Sequence, residues 1–166
     1  MVAADGVKVV FESVATNLLT TVDGNGSVSD IFLKDMNTGA VTLVSKAPNG
    51  GPADGPSTEP RVSDDGQLVY FTTLAANLTS GAEANAVKEA SVRQIAVVRG
   101  GGLGSSATYV SRNPSTNQAG NGDSTNMSAT PDGRYGVFES LATNLVANDT
   151  NGVADIFRFE VAGGQL

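Results

Sequence analysis

The chain contains no histidine, no cysteine and no tryptophan, and aromatic residues make up only 5% of it. Without histidine the commonest general base, the commonest zinc ligand and every Ser-His-Asp triad are excluded. Without cysteine there is neither a disulfide framework nor a thiolate metal site, and redox chemistry gives no reading of the compartment. Basic residues are few: ten Lys and Arg stand against 17 Asp and Glu, for a net charge of -7. They are scattered, and nucleic acid requires them clustered on one stripe, so no nucleic-acid partner is expected. No run approaches the roughly eighteen apolar residues of a membrane span, so no membrane insertion is expected. The opening MVAADGVKVV has no charged segment leading into an apolar core, so no signal peptide is read there. Nor is there a GxSxG elbow, a P-loop or a dinucleotide fingerprint. GGGLGSS from Gly100 leads into the strand-like ATYVS, carries no lysine, and reads as a hairpin loop.

What the chain does have is a threefold internal repeat. DGVKVVFESVATNLL at Asp5, DGQLVYFTTLAANLT at Asp65 and DGRYGVFESLATNLV at Asp132 align residue for residue. Gly6, Gly66 and Gly133 coincide, as do Phe11, Phe71 and Phe138, and then Asn17, Asn77 and Asn144. Each unit continues into an apolar run from Ile31, Ile95 or Ile156, and the first two add VTLVS from Val41 and ATYVS from Ala107. A further segment precedes the second and third Asp-Gly turns, EPRVS from Glu59 and NMSAT from Asn126. A fixed period of this kind marks one supersecondary unit stacked on copies of itself. Asp-Gly favours tight hairpins and the runs between turns are β-prone, which predicts four short antiparallel strands per unit, the content of a propeller blade.

The run LVYF at Leu68 is apolar on both faces, because side chains alternate across a strand. Such a strand must be covered on both sides, as stacked blades would do; an all-β sandwich of about ten strands is the alternative architecture. The expected fold is therefore all-β, with propeller blades at about 2-45, 58-111 and 125-166 in a single 1-166 segment whose last strand is missing. Three blades do not close a ring when propellers have about four to eight. Either the stretch belongs to a longer propeller or copies associate, most simply a homodimer completing six blades. Unit two departs from its siblings at TSGAEANAVKEASVRQ, where Ser80 and Glu83 have capping-box spacing and a short helix is expected near 81-90.

The loops carry the candidate chemistry. Asp23, Asn25 and Asp30 in unit one, and Asp149, Asn151 and Asp155 in unit three, place hard oxygen ligands of the kind calcium takes around a tight loop. Against this, the glycine spacing is not that of an EF-hand and no glutamate follows at the twelfth position. The structural reading is an Asx-type turn built by Asp23 and Asp149. Asp5, Asp65 and Asp132 read as turn caps, and the recurring asparagines as packing or turn residues. Glu12 and Glu139 sit beside the repeated phenylalanine, where Thr72 stands in unit two. An acid-base role for them would require two blades to bring them together, and no catalytic residue is expected.

At Ser63 to Thr73 and Thr130 to Ser140 the chain resembles the TolB-type, WD-repeat-like β-propeller family, with a serine or threonine, one residue, Asp-Gly, then an apolar strand ending in Phe and Ser or Thr. Ala3 to Ser13 is a version without the leading hydroxyl. Units one and three are also similar to bacterial repeats of the form FESxATNLVxxDTNGxxDIF. The resemblance implies a propeller and a periplasmic or extracellular location, and leaves activity open, since the fold hosts many functions. The expected function is a non-catalytic scaffold that binds protein partners or itself through its rim loops. The alternatives are the propeller accessory domain of an envelope hydrolase and a calcium-dependent glycan binder; calcium is the one cofactor considered.

Overall fold

The computed structural model describes residues 1–20, 24–79, 94–99 and 107–161. The helix expected near 81-90, with Ser80 and Glu83, lies outside the described residues, as does the loop from Gly100. Among the described residues ten strands form three antiparallel sheets. The first holds β1 (Lys8–Ser13), β2 (Asp30–Asp35) and β3 (Val41–Leu43). The second runs β4 (Ser57–Val62), β5 (Leu68–Thr73), β6 (Gln94–Arg99), β7 (Thr108–Tyr109). The third holds β8 (Ser124–Ala129), β9 (Tyr135–Ser140) and β10 (Asp155–Glu160).

Among the described residues the second sheet shows the full four strands of a unit. In the first, the inner strand is reduced to a bridge between Val2 and Val9, with the Met1 ammonium and carbonyl both bonded to Val10. So short a pairing does not amount to a strand ladder. In the third, no fourth strand follows β10 among the described residues.

Stacking follows from the two-faced middle sheet. Every residue of β5 is buried. Val69 and Phe71 join a core with Val10, Ile31 and Leu33 of the first sheet, while Leu68 and Tyr70 join another with Phe138, Leu145 and Met127 of the third. The equivalent positions obey one rule: Val10 faces forward as Tyr70 does, and Phe138 faces back as Phe71 does. Tyr70 fixes the second joint with a polar tip, its hydroxyl donating to the Gly133 carbonyl at 2.5 Å.

The Asp-Gly hairpins line up along one rim. Gly6, Gly66 and Gly133 hold φ of +70°, +68° and +70°, a left-handed turn that glycine enters without strain. The Ala4 N–H donates to the Asp64 carbonyl at 3.0 Å, and the Asp64 N–H to the Pro131 carbonyl at 2.7 Å. These three residues are repeat equivalents. The inner strands β4 and β8 are both bulged, at Glu59 (φ 55°) and Asn126 (φ 56°), where their registers slip against β5 and β9.

Candidate functional site

The repeated Asp side chains all point at their own turns. Asp65 Oδ1 accepts the Ser63 hydroxyl at 2.6 Å and the Gln67 N–H at 2.9 Å, and Asp132 Oδ1 accepts the Thr130 hydroxyl at 2.5 Å and the Arg134 N–H at 3.0 Å. Asp5, whose unit has Ala3 in place of the hydroxyl, accepts only the Val7 N–H among its recorded bonds. The Thr130 hydroxyl, followed by the Arg134 N–H, lowers the Asp132 pKa from the ordinary aspartate range. A second carboxylate, the half-buried Asp35, is held down to about 2 from 3.8, first by the Lys8 ammonium at 2.5 Å and then by the Thr38 N–H. Because its folded pKa is depressed, its contribution is present above about pH 4 and is lost as pH falls toward 2. In a carboxyl NMR titration the Asp35 midpoint is expected near 2, and Lys8→Met should move it up toward the ordinary value.

The recurring asparagines act as clamps on the connectors between sheets. Asn77 accepts the Asp54 N–H at 3.0 Å and donates to the Pro52 carbonyl at 3.1 Å. Asn144 does the same to Asn121 and Ala119, at 2.9 and 3.0 Å. Asn17 is exposed, and no such clamp is recorded for it.

The Asp-Asn loops are closed by hydrogen bonds of their own. Asn25 donates to Asp30 at 2.8 Å and to the Ala53 carbonyl at 3.1 Å; Asn151 donates to Asp155 at 2.9 Å. In both loops an amide N–H, not an amide oxygen, meets the carboxylate. In unit three the Asx turn is made by Asn151, whose oxygen accepts the Val153 N–H at 3.1 Å, while Asp149 is half-buried. Asp23 lies outside the described residues. Asp30 is fully buried and is completed by Ser45, whose hydroxyl donates to it at 2.7 Å and accepts the Ile31 N–H at 3.0 Å. Asn25 Oδ1 is buried without a hydrogen-bond partner. Among the described residues no three acidic side chains gather as a metal cluster. Ser45 was not singled out on sequence grounds, although the signal is there: VTLVS and ATYVS end in the same residue.

Glu12 and Glu139 sit on different sheets and serve local bonds. Glu12 accepts the Ser29 hydroxyl at 2.9 Å and the Glu59 N–H of the β4 bulge at 3.3 Å, tying the first sheet to the second. Glu139 accepts the Asn126 amide at 2.8 Å. No helix among the described residues is long and apolar enough to cross a membrane, which says nothing of strands.

No family model matches the chain, and no curated protein does. Among solved structures the chain is similar to a protein of Agrobacterium tumefaciens assigned to TolB, with 18% identity and a TM-score of 0.53. The match covers 99% of this chain and 45% of that one, so the chain spans less than half the length of that relative. At this identity the likeness is one of fold: an all-β, TolB-like propeller architecture.

Proposed function

We propose that the chain is a non-catalytic β-propeller segment, three blades of a ring left open, which serves as a protein-binding or assembly scaffold presenting the loops of one rim. One contrast between equivalent positions carries the reading. Val10, Tyr70 and Ile31, which face forward from the first and second sheets, are 0% exposed, whereas Val137 and Ile156 on the third are 42% and 71% exposed. An apolar face that is covered twice within the chain and bare once is suited to a further sheet of the same kind. The first sheet offers the complementary back face, with Phe11 stacked on Phe32 at 5.7 Å. Two copies meeting third sheet to first at both joints would close six blades around a two-fold axis. The scaffold acts without nucleic acid and in the periplasm or outside the cell.

Light scattering after size exclusion tests this. The expected mass is about 34 kDa, twice the 16.8 kDa of the chain, and Ile156→Glu should return a folded monomer whose melting temperature no longer depends on protein concentration. A wild type that stays monomeric at high concentration would sink the two-copy ring. The calcium-dependent reading is supported by the partnerless Asn25 oxygen beside the buried Asp30, and running the same measurement in calcium and then in chelator tests it: an identical mass and melting temperature would remove it.

A further inference from the structure

We infer that Asn49, in the connector between the first and second sheets, is a site of spontaneous covalent modification, at which the Gly50 nitrogen closes on the side-chain amide and ammonia is released. The inference depends neither on the number of blades nor on ring closure.

An asparagine followed by glycine is open to this reaction because no side chain shields the glycine nitrogen. That nitrogen gives its proton to water and bonds to the asparagine Cγ. The Cγ–Nδ2 bond breaks, and Nδ2 leaves as ammonia. Water then adds to one carbonyl of the cyclic imide and opens it, either to aspartate or to isoaspartate, in which the main chain runs through the side-chain carbon. Nothing is oxidised or reduced, and water is the only co-reactant.

The chain has four such pairs: Asn25-Gly26, Asn49-Gly50, Asn121-Gly122 and Asn151-Gly152. The fold restrains three of them at the nitrogen that must leave. Asn25 is half-buried, with Nδ2 held between Asp30 at 2.8 Å and the Ala53 carbonyl at 3.1 Å. Asn121 is fixed at both ends of its amide: Oδ1 accepts the Thr143 N–H at 2.8 Å and Nδ2 donates to the Thr143 hydroxyl at 3.0 Å. Its side chain is thus aimed away from Gly122, which is itself packed on the Leu141 backbone. Asn151 curls back over its own turn, but its Nδ2 is bonded to Asp155 at 2.9 Å.

Asn49 combines the curl with a free leaving group. Its Oδ1 accepts the Gly51 N–H at 3.0 Å, which folds the side chain back along the peptide that attacks it and draws electron density out of the side-chain carbonyl. Among the described residues no hydrogen bond is recorded for its Nδ2. Asn49 and Gly50 are exposed, and a Cβ on Gly50 would meet nothing within 4 Å, so water reaches the pair. The Gly50 N–H donates to the Ala47 carbonyl at 2.8 Å. That bond must open first, and it sits at the tip of an exposed turn, where local opening costs least. The second connector makes the corresponding turn without this chemistry. Arg112 and Ala119 bridge there as Lys46 and Pro52 do, but Asn113 precedes Pro114, which has no N–H, and Asn117 precedes Gln118, whose side chain shields the nitrogen.

The whole chain, incubated at mildly alkaline pH and mapped by peptide mass spectrometry with isoaspartate labelling, tests this. Asn49 is expected to convert first, with Asn25 and Asn121 slower by roughly tenfold or more, the factor set by one retained amide hydrogen bond of ordinary strength. In strong denaturant the four pairs should convert at similar rates, because each is then only an asparagine before glycine. Asn49→Asp, which keeps an acceptor for the Gly51 N–H, should remove the fastest phase of ammonia release and leave the other three sites unchanged. The proposal is overturned if Asn25, Asn121 or Asn151 converts before Asn49 in the folded chain, or if the denatured chain shows the same order. A folded chain in which none of the four converts while the denatured chain loses all of them overturns it equally.

Discussion

Replacing Tyr70 by alanine is expected to lower stability by about 4 kcal/mol, read as a melting midpoint lower by roughly 10 °C. Among the described residues Tyr70 is the largest fully buried side chain, and it stands in the core shared by the second and third sheets against Phe159, with ring centroids 5.7 Å apart. Its removal leaves a cavity in the middle of that joint and strips the Gly133 carbonyl of its donor. Tyr70→Phe separates the two effects, since it keeps the ring and loses only the bond; it should cost about 1 kcal/mol. If both variants cost the same, the ring would not be filling the joint as described. Folded stabilities of about 5–15 kcal/mol make the alanine variant severe but measurable.

Gly122→Ala is expected to destabilise by about 3 kcal/mol, because the added carbon has nowhere to go. A Cβ there would lie 2.6 Å from both the carbonyl carbon and oxygen of Leu141 and 2.8 Å from the Ala142 nitrogen, all backbone atoms. Moving them disturbs the Leu141 N–H bond to the Asp123 carbonyl at 2.9 Å, which closes the start of the third sheet. Gly55 is the repeat equivalent, with the corresponding contacts to Leu74 and Ala75 at 2.9 to 3.0 Å, so Gly55→Ala should cost less. Gly39 is the control: its φ is +75° with nothing within 4 Å, and Gly39→Asn should be tolerated within about 1 kcal/mol. Denaturant midpoints for the three would check the order 122, 55, 39. A Gly39 variant as damaging as Gly122 would refute the crowding argument.

Much of the architecture could be read from the repeat because its signals are local. Asp-Gly fixed the hairpins, and the apolar run at Leu68 implied cover on both sides, as the two cores around β5 show. The strand content of the outer units was less legible, since the first inner strand survives only as the Val2 to Val9 bridge. The candidate site was read as a loop composition, Asp with Asn and Gly, and composition does not say which end of an amide faces a carboxylate. Nor does it show that Ser45, fifteen residues away, completes Asp30. Asn77 and Asn144 were visible as recurrences, but their partners lie 23 to 25 residues upstream in connectors that share little sequence. Long-range backbone partners of this kind leave no periodic trace.

The row of hairpin bonds gives the stack a direction. Ala4 donates to the second hairpin and Asp64 to the third, but Pro131, the next in line, has no N–H to pass onward. The third hairpin can therefore receive at this rim and cannot give. A sheet packed beyond it would lack this rim bond, which each of the two joints inside the chain has.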